Sequence, residues 1–573
     1  MTDEGGERSI LSAGGVSGEL EKTFERIAGE HFVSRIWDRD STLWKKDDEA
    51  RKIIDNALGW LDVVPLVRQS VGDLTAFADE IRRDFEAVVV LGMGGSSLCP
   101  EVLRRSFGKR DGFPSLHVLD STVPAAVRDL ERQLDVAKTL FIVASKSGGT
   151  TEPQMFYRYF RTILDGLQGE NAGKNFIAIT DPGTALDRQA HDEGFRRIFT
   201  NPADIGGRYS ALSFFGMVPA SLAGYDVEQI LSRAEEGMHF CRNENVRENP
   251  GARLGVLIAT AALSGRNKLT LIADAPLDSV GLWIEQLIAE STGKEGRGVI
   301  PVAGADAGPP DDYGDDRLFV WIHEGKGRSG EQIRALADCG SPFAEHALSS
   351  ALDLGQEFFV WEFATAVVGA LLDINPFDQP NVQESKDNTK RLLQEFVSSG
   401  KLPGQQKITE GRQIEIYGEQ IDSGSEAQQV LAAHFATVKP GDYVAITQYI
   451  EETAQTDRIF HKLQSEISRT LHVATTTGYG PRFLHSTGQL HKGGDDSGVF
   501  IQITAKDPQD LPIAGEPFGF SVLQQAQSLG DFQSLDSRKR RALRIHLKNG
   551  VIPGLEHTSS LILKALAMTK PRH

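Results

Sequence analysis

The sequence predicts an α/β protein of two domains, each a mainly parallel sheet flanked by helices, behind a helical N-terminal segment. Three observations carry that reading. Short β-branched runs alternate with helical stretches from Phe85 onward, and a second series of such runs begins after Tyr225. A chain of 573 residues is also too long for one core, since a domain takes roughly 100 to 200 residues.

Residues 1–84 alternate apolar and charged positions at helical spacing, as in FERIAGEHFVSRIW and ARKIIDNALGWLDVV, with no strand-like run among them. The first domain, 85–225, carries the runs AVVVLG, LHVLD, TLFIVAS, NFIAIT and RRIFT, a texture expected of parallel strands covered on both faces. The second, 226–573, carries KLTLIAD, RLFVWIH, DYVAITQYI, HVATTTG and VFIQITA. The boundary near Asp226 stays open, because the helical stretch Asp226 to Cys241 fits either neighbour. Gly400 to Ser425, rich in Gly, Gln and Ser, reads as a connection or small excursion.

A composition 40% hydrophobic and 24% charged is that of a globular protein. The formal net charge of -18 argues against a broad basic face for nucleic acid or an anionic membrane, so an anionic substrate needs a local site. No stretch approaches the roughly 18 to 20 apolar residues of a membrane span. The nearest, Phe358 to Ile374, contains Glu362 and Asp373 and reads as a buried helix. The start MTDEGGERS lacks the layout of a signal peptide, and Cys99, Cys241 and Cys339 make no disulfide framework, so a cytoplasmic location is expected.

Two strand-to-helix turns carry the chemistry. AVVVLG runs into Gly92-Met93-Gly94-Gly95-Ser96-Ser97, where glycines let backbone N–H groups approach an anion, although such turns also occur for packing alone. TLFIVAS ends in Ser145-Lys146-Ser147-Gly148-Gly149-Thr150-Thr151-Glu152-Pro153, which offers four hydroxyls, two glycines and a cation before a helix opened by Pro153. That set suits a phosphate monoester; a Ser/Thr-rich helix cap is the plainer alternative. Asp120, after LHVL, is placed where a ribose hydroxyl would be held if the ligand were a nucleotide.

SKSGGTTEP preceded by GMGGSS resembles the sugar-phosphate core of the phosphoglucose isomerase family, a branch of the sugar isomerase (SIS) fold. Asp204-Ile205-Gly206-Gly207-Arg208-Tyr209-Ser210 is similar to that family's first signature, and the stretch from Asn375 to Lys386 to its second; Glu290-Ser291-Thr292-Gly293-Lys294 resembles the segment of the catalytic glutamate. The resemblance implies two SIS-type domains and the interconversion of glucose 6-phosphate and fructose 6-phosphate, with no cofactor and no metal. It implies Glu290 as the base that moves a proton between C1 and C2 through a cis-enediolate, and Arg208, beside Gly207, as the cation facing that enediolate. It further implies Gly94, Gly95, Ser96, Ser145, Ser147 and Thr150 at the phosphate, with Lys146, Glu152 and Gln379 near the substrate and Lys386 at the ring oxygen. Relatives are commonly dimers, so a homodimer is expected.

One feature departs from the family. Bacterial relatives carry Leu-His-Ser-x-Gly-Gln shortly after the glutamate, and here GVIPVAGADAGPPDDYGDDRLFV stands in that place without a histidine. A similar run, Leu484-His485-Ser486-Thr487-Gly488-Gln489, falls far later and is followed by His491. This implies a rearranged second domain in which His485, or alternatively His491, supplies the imidazole for ring opening. The late segment most resembles the isomerase half of bacterial transaldolase/phosphoglucose isomerase fusions, but no room is left for a transaldolase barrel and no such activity is expected. A dual isomerase that also accepts mannose 6-phosphate, a non-catalytic sugar-phosphate sensor and a nucleotide-dependent oxidoreductase are the competing functions.

Overall fold

The computed structural model describes residues 9–418 and 425–569. Its first strand, β1 (Ser9–Ser12), lies in the segment expected to be wholly helical. A four-residue edge strand is too short to show a periodicity, and its stability comes from the ladder it joins. Helices then occupy most of the chain from Ser17 to Asp84, and their apolar faces merge into the core of the body that follows, with Phe24, Ile27, Trp44 and Trp60 all buried there.

The five runs after Phe85 become β2 (Ala87–Leu91), β3 (Ser115–Leu119), β4 (Thr139–Ala144), β5 (Phe176–Thr180) and β6 (Arg197–Thr200), all parallel in the order β3-β2-β4-β5-β6. Every residue of β2, β4 and β5 is buried, as a sheet covered by helices on both faces requires. The C-terminal ends of β2 and β4 are therefore neighbours, with Leu91 paired to Val143, and the two motif-bearing turns leave the sheet side by side.

A second sheet holds β7 (Lys268–Ala273), β8 (Ile300–Val302), β9 (Arg317–Glu324) and β10 (Phe343–Leu348), in the order β1-β10-β9-β7-β8, with only β1 antiparallel. The helix Leu354–Leu371 crosses behind it. Every residue of that helix except Gln356 is buried, and Phe359 and Phe363 meet Trp37 and Trp60. A helix apolar all round belongs in an interior, as read from its sequence. Its Glu362 is fully buried, and burial pushes the carboxyl well above the usual range.

The remaining strands do not join this second sheet. They form a third: β11 (Lys407–Glu410), β12 (Ile414–Tyr417), β13 (Tyr443–Tyr449), β14 (Ala474–Tyr479), β15 (Gly498–Ala505) and β16 (Arg541–Leu547), in the order β11-β12-β16-β15-β13-β14. It has its own core, built on residues such as Val430, Ile446, Leu463, Ile501 and Leu555. The α/β architecture is as the sequence predicts, but the second series of runs divides between two sheets, because apolar runs record burial and not which sheet buries them. The Gly400 to Ser425 stretch also contributes the antiparallel pair β11 and β12, whose alternating IEIY is short and set among polar neighbours.

The third sheet buries two histidines uncharged. Burial drives the His491 imidazole, set among Tyr443, Phe483 and Phe500, down to about 3, with Lys492 adding to the effect. Burial likewise drives His434, whose Nε2 lies 3.1 Å from the Phe500 carbonyl, down to about 4. Both lie below the unfolded value of about 6.5, so the unfolded chain takes up protons first and stability falls as pH drops below that value. Each histidine is expected to cost about 2 kcal/mol of stability by pH 5 relative to pH 7.5. Urea unfolding between pH 6.5 and 5 measures the slope, and His491→Leu should reduce it by about one proton.

Candidate active site

The turn after β2 is shaped by close approach. Gly94 has φ +55, and a Cβ there would lie 2.7 Å from Gln286 Nε2 and 2.9 Å from the His485 carbonyl. At Gly95 a Cβ would lie 1.9 Å from the Gly207 carbonyl oxygen, so the two glycine motifs sit backbone against backbone. Here the packing role of the glycines is direct: they let the turn that presents Arg208 rest on the turn after β2. Ser96 sits in the short 3-10 turn Gly94–Ser96 and does not line the open cavity.

After β4 the turn from Ser145 to Thr150 curls over the start of the helix Thr151–Gln168. The Ser145 and Thr150 hydroxyls share a hydrogen bond of 2.9 Å, and the Gly149 N–H lies 3.4 Å from Ser147 Oγ. Thr150 stands at the start of this helix without a side-chain bond to its amides. Lys146 turns away: its ammonium contacts the Asp181 carboxylate and lies 2.7 Å from the Ala203 carbonyl. The lysine thus braces the loop from behind.

The helix Val280–Thr292 brings Glu290 to the same place. Arg208, 2% exposed, lies with Nη1 3.5 Å from Glu290 Oε1. Its remaining N–H groups reach Ser291 Oγ (2.7 Å), Gln379 Oε1 (2.9 Å) and the carbonyls of Pro376 (2.6 Å) and Asp378 (2.9 Å). Gln286, one helical turn before Glu290, donates to Glu290 Oε2 (3.1 Å) and to the His485 carbonyl (2.8 Å). Lys294 is bound to the Asn375 carbonyl and to Asp378 Oδ1; burial, with Arg208 nearby, brings its ammonium down to about 8.

His485 ends the 3-10 turn Arg482–His485 between β14 and the helix Gly488–Gly493. Its Nε2 donates to Glu152 Oε1 at 3.1 Å, and the same oxygen accepts from Gln527 Nε2 at 2.7 Å, with Gln527 held in turn by the Thr122 hydroxyl at 2.7 Å. Burial alone would raise the Glu152 carboxyl, but His485 and, more weakly, Lys386 hold it below its ordinary value. A cavity of about 690 Å³ opens in front, lined among others by Ser147, Thr150, Glu152, Lys386, His485 and Gln527. Glu290 and Arg208 adjoin this site through Gln286, which bonds both Glu290 and the His485 carbonyl. His491 does not line this cavity; it is packed among aromatic rings.

The second sheet carries a comparable turn, Glu324-Gly325-Lys326-Gly327-Arg328-Ser329-Gly330, leading from β9 into the helix Gly330–Asp338. Its anion position is filled from within. Asp274 accepts the Arg328 amide (2.7 Å), the Ser329 hydroxyl (2.8 Å) and the Trp321 indole N–H (3.0 Å).

A family model for phosphoglucose isomerase matches residues 62–306, which spans both glycine motifs, Arg208 and Glu290. This segment, under half of the chain, is similar to the phosphoglucose isomerase family. A probable glucose-6-phosphate isomerase of Methanococcus maripaludis is 25% identical over 446 residues, covering 70% of this chain and 99% of that one. The glucose-6-phosphate isomerase of Exiguobacterium sibiricum is 28% identical over 421 residues, covering 64% of this chain and 94% of its own length. Among solved structures, a hypothetical protein from Thermus thermophilus superposes with a TM-score of 0.57 at 24% identity, over 67% of this chain and 99% of its own. A glucose-6-phosphate isomerase from Chlamydia trachomatis superposes with a TM-score of 0.51 at 21% identity, over 64% and 78%. The fold is shared with both.

Of the residues that the resemblance brings to attention, Arg208 contacts both Glu290 and Gln379, and Ser147, Thr150, Glu152, Lys386 and His485 share one cavity. Gln286, Gln527 and Thr122 were missed. Gln286 was accessible in principle, since a residue four before a functional glutamate on a helix shares its face. Gln527 gives no such signal; it lies 375 residues from Glu152. Asp120 does not stand ready for a ribose, because Arg482 takes both its oxygens.

The Gly95 contact can be measured. Gly95→Ala is expected to lose about 1–3 kcal/mol of unfolding free energy, because the methyl meets a backbone carbonyl that cannot step aside. Gly149→Ala, which meets nothing within 4 Å, should stay within about 0.5 kcal/mol of wild type.

Proposed function

We propose that this chain is a glucose-6-phosphate isomerase that interconverts glucose 6-phosphate and fructose 6-phosphate reversibly through a cis-enediolate. The observation that carries the reading is the contact of the buried Glu290 carboxylate with the Arg208 guanidinium, linked through Gln286 to the His485–Glu152 pair. A carboxylate, a fixed cation and an imidazole are the three groups that an aldose-ketose exchange requires: a base for carbon, a countercharge for the enediolate and an acid-base group for the ring oxygen.

On this reading the phosphate rests on the Ser147 and Thr150 hydroxyls and the first amides of the helix Thr151–Gln168, with Ser145 ordering the turn. His485 gives a proton to the ring oxygen and takes one from the anomeric hydroxyl, and Glu152 orients the imidazole. Lys386 adds a positive charge at the same end of the cavity. Glu290 then takes the C2 proton of the open aldose and returns it to C1, while the proton between the oxygens passes through solvent or a neighbouring group. Arg208 gains most when the negative charge develops, since its donors are fixed before substrate arrives.

Among the described residues no helix is long and apolar enough to cross a membrane. Two of the three cysteines, Cys99 and Cys241, are buried and unpaired, which agrees with a cytoplasmic setting. The homodimer implied by the family need not complete the site, since His485, Glu152, Glu290 and Arg208 come from one chain.

A coupled assay on the purified protein with fructose 6-phosphate should detect glucose 6-phosphate, and Glu290→Gln should lower kcat by a factor of about 10² to 10⁴ or more. Sugar-phosphate binding without turnover by the wild type would overturn the reading in favour of a sensor. His485→Ala is expected to lose most of its turnover on cyclic sugar while retaining affinity for an acyclic analogue of the enediolate; equal losses on both would remove His485 from ring opening.

A further inference from the structure

The turn that ends in His485 is anchored at its other end by charges that none of the roles above uses. Arg482 places Nε and Nη2 on the two oxygens of Asp120, at 2.7 and 2.8 Å, and Nη1 on Glu452 Oε2 at 2.8 Å. Asp120 directly follows β3 of the first sheet, and its Oδ2 also lies 3.4 Å from the Ser97 hydroxyl. Glu452 lies beyond β13 of the third sheet; its other oxygen accepts from Arg105 at 3.0 Å, and Arg105 donates to Glu101 at 2.6 Å. Arg104 makes two further bonds to Glu101. Three carboxylates thus face three guanidiniums across the junction of two sheets. Burial would raise the Glu452 carboxyl, and Arg482 and Arg105 together hold it below its ordinary value.

A forked guanidinium–carboxylate contact fixes direction as well as distance, which a single hydrogen bond does not. The turn itself is four residues long, so the direction of Arg482 is passed to His485 with little slack. At the far end the His485 carbonyl is held by Gln286, and its ring has Glu152 as its partner. Without the Arg482 fork those two would be the side-chain hydrogen bonds left to hold His485, beside the packing of Phe483 and Leu484.

We propose that Asp120 and Glu452, acting through Arg482, are positioning residues that hold the His485 imidazole in place for ring opening and serve that step alone. The proposal rests on the assignment of ring opening to His485. Its substrate-side consequence is a split: the cyclic sugar needs the clamp, whereas an acyclic ligand bound by the phosphate turn, Glu290 and Arg208 does not.

The test uses the full chain carrying Arg482→Gln, Arg482→Lys, Asp120→Asn, His485→Ala, or Arg482→Gln together with His485→Ala. Arg482→Gln is expected to lower kcat/KM for fructose 6-phosphate about 100-fold, the scale of a small misplacement of a reacting group. Binding of a five-carbon aldonic acid 5-phosphate, an acyclic anion shaped like the enediolate, should be retained. The double variant should be no slower than His485→Ala, because a clamp has nothing left to position once the imidazole is gone. Arg482→Lys should recover part of the loss, and Asp120→Asn, which keeps the shape, should show the same split if Arg482→Gln folds poorly. Wild-type kcat/KM in Arg482→Gln, additive losses in the double variant, or a parallel loss of acyclic binding would each overturn the proposal. Nitrogen NMR of labelled histidine separates this from failure of the isomerase reading: a His485 ring resonance unmoved by Arg482→Gln overturns the positioning role whether or not any sugar phosphate is turned over.

Discussion

A guanidinium taken out of water must have every N–H met by an acceptor, and in this molecule that requirement fixes where three distant stretches lie. Arg208 is satisfied by Ser291 and Glu290 from one helix and by Pro376, Asp378 and Gln379 from the segment after the central helix. Breaking such a buried set by removing one partner costs on the order of 3–5 kcal/mol, so the helix Val280–Thr292 and the Asn375–Gln379 segment are held to the first sheet as firmly as by apolar packing. The seat of the Gly207 turn on Gly95 completes the arrangement from below. Glu290 and Arg208 are consequently fixed relative to the turn after β2, which is the condition under which fixed dipoles favour a developing charge.

The three sheets divide the chemistry among them. The first carries the two donor-rich turns and Arg208, the helix between β7 and β8 of the second carries Glu290, and the third carries His485 and Gln527. Glu152 is the joint: one of its oxygens takes both donors from the third sheet, while its own helix starts at the phosphate turn. The second sheet is kept out of the anion-binding work by Asp274, which occupies the glycine-rich turn after β9 with a carboxylate of the protein itself. One glycine-rich turn is left for a ligand and its counterpart is used for structure.

The elements legible in the sequence were those in which local chemistry and local structure coincide. AVVVLG and TLFIVAS give both a buried parallel strand and the donor-rich turn that follows, and the GGRYS and EST segments carry their side chains at short range. The division of the later strands into two sheets was not legible, because DYVAITQYI reads the same whichever neighbours it pairs with. β1 and the IEIY strand were too short or too polar to stand out. The placement of Lys146 could not be read either: a lysine inside an anion-binding sequence has the right charge, and only the nearby Asp181 and Ala203 carbonyl explain why it points elsewhere. His485 was found because its neighbours resemble a known motif, whereas Gln527 and the Asp120–Arg482 fork depend wholly on tertiary contact.

The separation of 375 residues between Glu152 and Gln527 also orders events during synthesis. At about 5 to 20 residues per second, roughly 20 to 75 seconds pass between the emergence of the carboxylate and that of its amide donor. Arg208 can complete its set of partners once Gln379 is made, so Glu290 and Arg208 can be in place on the ribosome while Glu152 is still hydrated. The imidazole comes late, with the third sheet. A nascent chain therefore holds Arg208 and Glu290 already paired, with Glu152 still open to water, until the last sheet docks and closes the joint.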